Sequence, residues 1–280
     1  MNVLSPKIIY GTAWKGERTT QLVVNAFLQG FRAVDTACQP KHYSEELVGK
    51  ALEILQTKHD IKREEIYVQT KYTQFTPIGG QDLNKPIPYD PKATIRDQIR
   101  ASLTVSLRNL RVSYIDSYLL HSPLRTIQAT LEAWRALIVA QDAGTIRKIG
   151  VSNVYDVPTL AALGKLRKVQ VVQNRWCQEN MWDLDVWRYC KDNGIEYQSF
   201  WTLSGSPRLL AHAAVVALAS KLDVTPAQVV FKLAQLHDVV PLTGTTNELH
   251  MQQDLAAERI AFSGEVETLR RNVIEFVWGK

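Results

Sequence analysis

Four side chains of this sequence, Asp35, Tyr43, Lys71 and His121, are of types that together can deliver a proton to a carbonyl oxygen. A free phenol has a pKa near ~10 and is a weak acid at neutral pH; an adjacent ammonium favours the phenolate, and a lowering of ~2 corresponds to about 2.7 kcal/mol. In this reading Lys71 supplies that charge. Asp35 holds the ammonium by a charge-assisted hydrogen bond, while His121 donates to the developing alkoxide or relays a proton. Each residue also has a plain structural use: Asp35 as a strand-end cap, Tyr43 as a half-buried aromatic with a wet hydroxyl, His121 as a satisfied core histidine. Lys71 fits such a use less well, because a lysine at a barrel strand end must be paired or lose its charge. The chemistry therefore depends on all four arriving at one place.

The elements that carry them decide this. Short runs rich in β-branched and aromatic residues recur: KIIYGT, FRAVDT, EIYVQTKYT, YIDSYLLHS, IRKIGVSN, VQVVQNRW, IEYQSFWTL and VVPLTGT. Helical spacing separates them. In TIRDQIRASLTVSLRNL, Ile95, Ile99, Leu103, Ser106, Leu107 and Leu110 share one face, and Arg96, Asp97, Arg100 and Arg108 fall elsewhere. TTQLVVNAFLQG, SEELVGKALEIL, IQATLEAWRALIVAQDAG and DLDVWRYCKDNG read as further helices, with Gly144 and Gly194 as left-handed C-caps and Ser44 as an N-cap ahead of Glu45 and Glu46. Strand and helix alternating without a polar linker predict an α/β fold, one (β/α)8 TIM barrel domain over residues 1–280. A doubly wound sheet competes, but no GxGxxG follows any strand. Barrel chemistry sits at the C-terminal ends of strands, where Asp35, Lys71 and His121 end the second, third and fourth runs and Tyr43 follows the second. FTPIGGQDLNKPIPYDPKA breaks the rhythm, and the loop 75–91 within it reads either as a lid or as a disordered connection.

Composition narrows the function classes. The 280 residues are 45% apolar and carry a formal charge of +5, with acidic residues beside most basic clusters. That balance suits an anionic small molecule better than nucleic acid, and LGKLRKVQ reads as a solvated helix end. Cys38, Cys177 and Cys190 are odd in number without CxxC spacing, which predicts reduced thiols in a cytoplasmic protein. The six histidines show no HExxH, so no metal is expected. MNVLSPKIIYG shows no charged leader before a long apolar run, and no segment approaches the ~18 residues that span a bilayer. A soluble chain without membrane partners, monomeric or weakly homo-oligomeric, is expected.

GTAWKGERTTQLVVNAFLQGFRAVDTA, TVSLRNLRVSYIDSYLLHSP and RKIGVSN together resemble signature segments of the aldo-keto reductase superfamily, and the likeness covers nearly the whole chain. DTACQPKHY, YQSFWTL and PLTGTT look similar to a branch associated with fungal reductases. The resemblance implies a barrel that reduces an aldehyde or ketone with a nicotinamide cofactor, NADP(H) ahead of NAD(H), using Asp35, Tyr43, Lys71 and His121 as its catalytic tetrad. It further implies cofactor contacts from Gly11 and Thr12, and from Ser152, Asn153 and Gln173 on the nicotinamide carboxamide. Phe200, where the family usually has tyrosine, would stack on the ring. Leu203, Ser204 and Ser206 would wrap the pyrophosphate, and Thr243, Thr245, Thr246, His250, Gln253 and Asp254 would meet the adenosine end. Trp14, Tyr72 and Trp201 are candidate walls of the substrate pocket, favouring an apolar or aromatic carbonyl.

Three departures qualify what the resemblance implies. The connection from Asp35 to Tyr43 is longer than the common family pattern, so His42 competes for the hydroxyl's place. The basic pair often found near the eighth strand is missing, leaving a 2′-phosphate without charge-assisted partners and NADH as a candidate. The N-terminal hairpin and C-terminal substrate loop look reduced, which predicts a more open site. Two other functions suit parts of the pattern: a Schiff-base lyase or aldolase using Lys71, and a nicotinamide-sensing binding protein with little turnover.

Overall fold

The eight apolar runs become eight short parallel strands in the computed structural model, which describes residues 5–76, 80–82, 84–262 and 264–279. They are β1 (Ile9–Gly11), β2 (Ala33–Asp35), β3 (Tyr67–Tyr72), β4 (Ile115–Leu120), β5 (Ile146–Ser152), β6 (Val171–Arg175), β7 (Glu196–Phe200) and β8 (Val239–Thr243). Each pairs with its sequence neighbours, and β8 pairs with β1 to close the barrel. One helix follows each of the first six strands: α1 (Thr19–Gln29), α2 (Glu45–Lys58), α3 (Ile95–Leu110), α4 (Ile127–Asp142), α5 (Val157–Gly164) and α6 (Leu184–Asp192). After β7 come α7 (Pro207–Leu210), α8 (Ala213–Leu222) and α9 (Pro226–Leu236), and after β8 come α10 (Glu248–Ala256) and α11 (Glu267–Trp278).

The strands read as continuous apolar runs because both of their faces are covered, one by helices and one by the barrel interior. All residues of β3 and β4 are buried. The pleat sends Tyr67, Gln69 and Lys71 inward and Val68, Thr70 and Tyr72 toward the helices. Outward partners bear this out: the Thr70 hydroxyl donates to Glu45 of α2 at 2.6 Å, and the Tyr72 hydroxyl to Gln98 of α3 at 2.8 Å.

Barrel interiors are commonly filled by Val, Ile and Leu. Here a hydrogen-bonded polar column runs through the middle. Gln69 Nε2 donates to Gln198 Oε1 at 2.6 Å, Gln198 Nε2 donates to Glu196 at 2.8 Å, and Glu196 pairs with Lys148 at 2.8 Å near the N-terminal strand ends. Buried polar groups are tolerable when mutually satisfied, and this column is.

Local signals held unevenly. Gly144 and Gly194 take φ of 79° and 60°, as expected for left-handed caps. Ser44 occupies the N-cap position of α2, but its side chain makes no capping hydrogen bond. The buried Glu45 anchors this end instead, accepting from Thr70 and, at 3.4 Å, from Asn109 of α3. Gly49 lets α2 and α3 approach closely, since a Cβ there would collide with the Asn109 carbonyl.

The described part of the loop 75–91 is tied to the barrel rim, and residues 77–79 and 83 lie outside the described residues. Gln81 Nε2 donates to the Cys38 and Thr73 carbonyls at 2.7 and 3.1 Å, and the Tyr89 hydroxyl donates to Thr73 O at 2.6 Å. None of its described residues lines the cavity described below. Cys38, Cys177 and Cys190 are free and buried. No single helix among the described residues is long and apolar enough to cross a membrane.

Candidate active site at the C-terminal strand ends

A cavity of about 760 Å³ opens at the C-terminal ends of the strands and is lined by Asp35, Tyr43 and His121. Lys71 lies directly behind them, 1% exposed. Its ammonium donates to both Asp35 oxygens at 2.7 Å and to the Thr36 carbonyl at 2.8 Å, which uses all three of its protons. Asp35 Oδ1 also accepts from Gln69 Nε2 at 2.8 Å and Gln173 Nε2 at 3.0 Å. The buried ion pair is thus fully hydrogen-bonded, the condition under which such a pair is sustainable. Burial lowers the Lys71 pKa from the usual lysine value, and Asp35 offsets part of that effect.

The Tyr43 ring stands over this pair, its centroid 5.4 Å from Lys71 Nζ and 5.9 Å from the His121 ring in an edge contact at 66°. Among the described residues none hydrogen-bonds the Tyr43 hydroxyl. Its pKa moves opposite to the expectation from sequence: burial raises it above the ordinary phenol value, and the Asp35 charge raises it further. Lys71 does not lower it because Asp35 cancels its charge. Tyr43 therefore keeps its proton at neutral pH.

His121 is likewise uncharged. Burial, then the charges of Lys71 and His42, bring its pKa down to about 3. Its Nδ1 lies 2.6 Å from the Thr73 hydroxyl oxygen. His42 does not take the tyrosine's place: its ring stacks on Trp14 at 3.7 Å, and the pair lines the cavity mouth.

The remaining candidates divide. Gly11, Ser152, Asn153, Gln173, Phe200, Leu203, Ser204, Thr243, Thr245, His250, Gln253 and Asp254 line the cavity, as do Trp14 and Trp201. Four do not. Thr12 is buried with its hydroxyl on the Asp35 carbonyl at 2.9 Å, Ser206 is buried with no partner for its hydroxyl among the described residues, and Thr246 is exposed away from the cavity. Tyr72 is no pocket wall, because the pleat that turns Lys71 inward turns Tyr72 outward onto Tyr89 and Gln98.

The lining suits a nicotinamide. The Gln173 amide spends its N–H groups on Asp35 and Gln198, each at 3.0 Å, which leaves Oε1 as an acceptor at the cavity. Ser152 and Asn153 stand beside it, with Asn153 Nδ2 on the His121 carbonyl at 2.9 Å, and Phe200 supplies an aromatic face. A carboxamide with two donors and one acceptor matches this set. Three lining residues, Trp14, Asn153 and Trp201, hold φ of 63°, 51° and 61°, backbone strain of the kind that gathers at ligand sites.

Sequence reasoning missed several residues. Gln69 and Gln198 buttress Asp35; the signal was the two-residue period, which puts Gln69 on the face of Lys71 and Gln198 on that of Phe200. Thr73 closes the run EIYVQTKYT, and nothing in the sequence pairs it with His121. Arg175, whose guanidinium lies 4.2 Å from the Trp201 ring, and Lys15, which donates to the Gly244 carbonyl across the rim, also line the cavity.

Residues 7–269 match a family model described as the Aldo/keto reductase family. Similar proteins include the methylglyoxal reductase DkgB of Escherichia coli O157:H7, 27% identical over 250 residues covering 87% of this chain and 83% of that protein. The methylglyoxal reductase DkgA of E. coli K12 is 28% identical over 217 residues, covering 77% and 70%. Among solved structures, MGS-M4, an aldo-keto reductase enzyme from a Medee basin deep-sea metagenome library, has a TM-score of 0.78 at 25% identity, covering 100% of this chain and 94% of that one. The Bombyx mori aldo-keto reductase AKR2E4, in complex with NADP, has a TM-score of 0.76 at 22% identity, covering 96% and 89%, a likeness in fold.

Proposed function

The chain belongs to the aldo/keto reductase family and is an NAD(P)H-dependent oxidoreductase, and on that premise we propose that it reduces an aldehyde or ketone with Tyr43 as the proton donor. The observation that carries the reading is the convergence of Tyr43, His121 and the Lys71–Asp35 pair on one cavity that also presents Ser152, Asn153, Gln173 and Phe200. The nicotinamide supplies hydride when bound. Gln173, Ser152 and Asn153 would hold its carboxamide, and Phe200 would pack against its ring. The neutral His121 orients the carbonyl oxygen. Tyr43 protonates that oxygen as it becomes alkoxide, and the hydrogen-bonded Lys71–Asp35 pair beneath the phenol ring holds that ring in place for the transfer. The relatives named for methylglyoxal reduction make small dicarbonyls the first substrates to assay, followed by aromatic aldehydes suited to Trp14 and Trp201. We place the reaction in the cytoplasm.

The Schiff-base alternative requires a neutral, accessible amine. Lys71 is buried, ion-paired and screened from the cavity by Asp35, so the lysine the alternative needs is withheld.

We carry NADP(H) as the cofactor, with weak discrimination. The cavity-facing residues from β8 through α10, among them Thr243, Thr245, His250 and Asp254, include no lysine or arginine. Asp254 accepts from Thr243 at 2.7 Å, and burial pushes its carboxyl up to about 6. It is therefore mostly ionised at neutral pH, at the end where a 2′-phosphate would arrive. Asp254→Asn is expected to tighten NADPH about two- to fivefold at pH 7.5 and NADH less, by fluorescence titration; equal changes in both would contradict this. The same substitution has a stability signature. The folded pKa lies above the unfolded value near ~3.9, so the protonated group's stabilisation is full below about pH 4 and is lost as pH rises through about 6. Asp254→Asn should therefore gain on the wild type by up to about 2 kcal/mol between pH 4 and pH 7.5.

A further inference from the structure

The His121 imidazole is neutral and holds one ring proton, and only one tautomer puts that proton on the nitrogen facing the cavity. Nδ1 faces Thr73 Oγ1 at 2.6 Å, so Nε2 on the far side of the ring opens toward the substrate position. Thr73 is 2% exposed, and among the described residues its hydroxyl has no hydrogen-bond partner other than His121. If Nδ1–H donated to Oγ1, the hydroxyl proton would be buried without an acceptor, at a cost that natural structures avoid. If the hydroxyl donates to Nδ1, both groups are satisfied and the ring proton resides on Nε2.

We propose that Thr73 is a positioning residue that fixes His121 as the Nε2–H tautomer, so that the ring offers the substrate oxygen a donor and not a lone pair. The inference rests on the carbonyl-reductase reading of the site. It also gives the Gly/Pro-rich loop a purpose. The Thr73 carbonyl accepts from Tyr89 at 2.6 Å and from Gln81 at 3.1 Å, and Gln81 also binds the Cys38 carbonyl at 2.7 Å. Gln39, which begins the turn leading to Tyr43, donates through its amide to the Gly80 carbonyl at 3.0 Å. The loop thus clamps the peptide that orients His121 to the connection that delivers Tyr43.

The test is 15N NMR of histidine-labelled full-length protein at neutral pH, combined with kinetics. Wild type should show His121 with a protonated, pyrrole-like Nε2 and an unprotonated Nδ1. Thr73→Val, which keeps the shape and removes the donor, should unpin the tautomer and lower kcat/KM about tenfold with cofactor affinity unchanged, and Thr73→Ser should restore both. A wild-type Nδ1–H signal, or a valine variant with unaltered ring signals and kcat/KM within about twofold of wild type, would overturn the proposal. Should the valine variant not fold, the wild-type spectrum alone decides the tautomer. The spectrum does not depend on turnover: an inactive protein with the Nε2–H signature would sink the carbonyl reading and leave the role of Thr73 standing.

Discussion

Tyr43→Phe is expected to lower kcat by about a thousandfold, within the range that a positioned general acid contributes, while leaving the dissociation constant for the cofactor within about twofold. The two effects separate because the hydroxyl acts on the substrate oxygen and not on the dinucleotide. Stability should hardly change: among the described residues nothing hydrogen-bonds the hydroxyl, and the ring contacts with His121 and Lys71 persist in phenylalanine. Retained turnover would remove Tyr43 from the role. A parallel loss of turnover and cofactor binding would point to altered structure.

The second large effect is on folding. Lys71→Met leaves the Asp35 carboxylate buried, its side chain 4% exposed, without a counter-charge. Breaking a buried pair from one side costs about 3–5 kcal/mol, because the remaining carboxylate keeps only the neutral donors Gln69 and Gln173 and has neither water nor a counter-charge. Urea unfolding should therefore show a fall in midpoint with little change in slope, alongside loss of activity. Asp35→Asn added to Lys71→Met should recover part of the loss, since the charge that lacked a partner is gone. A loss below about 1 kcal/mol in the single variant would mean that water reaches the pair and that the polar column does not enforce its geometry. Comparing the two variants distinguishes a residue that does chemistry from one that holds the chemistry in place.

Much of this site was readable before any coordinates. Parallel strands covered on both faces leave a mark in the chain, the short apolar run, and all eight were found. Asp35, Lys71 and His121 followed from their places at strand ends. Other features were hidden for physical reasons. Tyr72 adjoins Lys71 in sequence but faces the opposite side of the sheet, so proximity along the chain misplaced it. The direction of the Tyr43 shift depends on whether Asp35 neutralises Lys71, which is a matter of three-dimensional pairing. Helix α5 spans only eight residues, α8 is apolar on most sides and α10 is weakly amphipathic, so their helical periods are faint in the sequence. The Gly- and Pro-rich composition of the loop 75–91 leaves its path open. Its anchors, Gln81 and Tyr89, act through single hydrogen bonds to carbonyls, and such bonds leave no periodic trace in sequence.

The most direct test follows the label. Cofactor deuterated on the transferable position of nicotinamide C4 is mixed with the protein and a small dicarbonyl or aromatic aldehyde, and the alcohol is examined by mass spectrometry and NMR. The account predicts one deuterium on the carbinol carbon in the wild-type product, formed about a thousandfold more slowly with Tyr43→Phe. Alcohol free of deuterium, or labelled alcohol formed equally fast by both proteins, would contradict it.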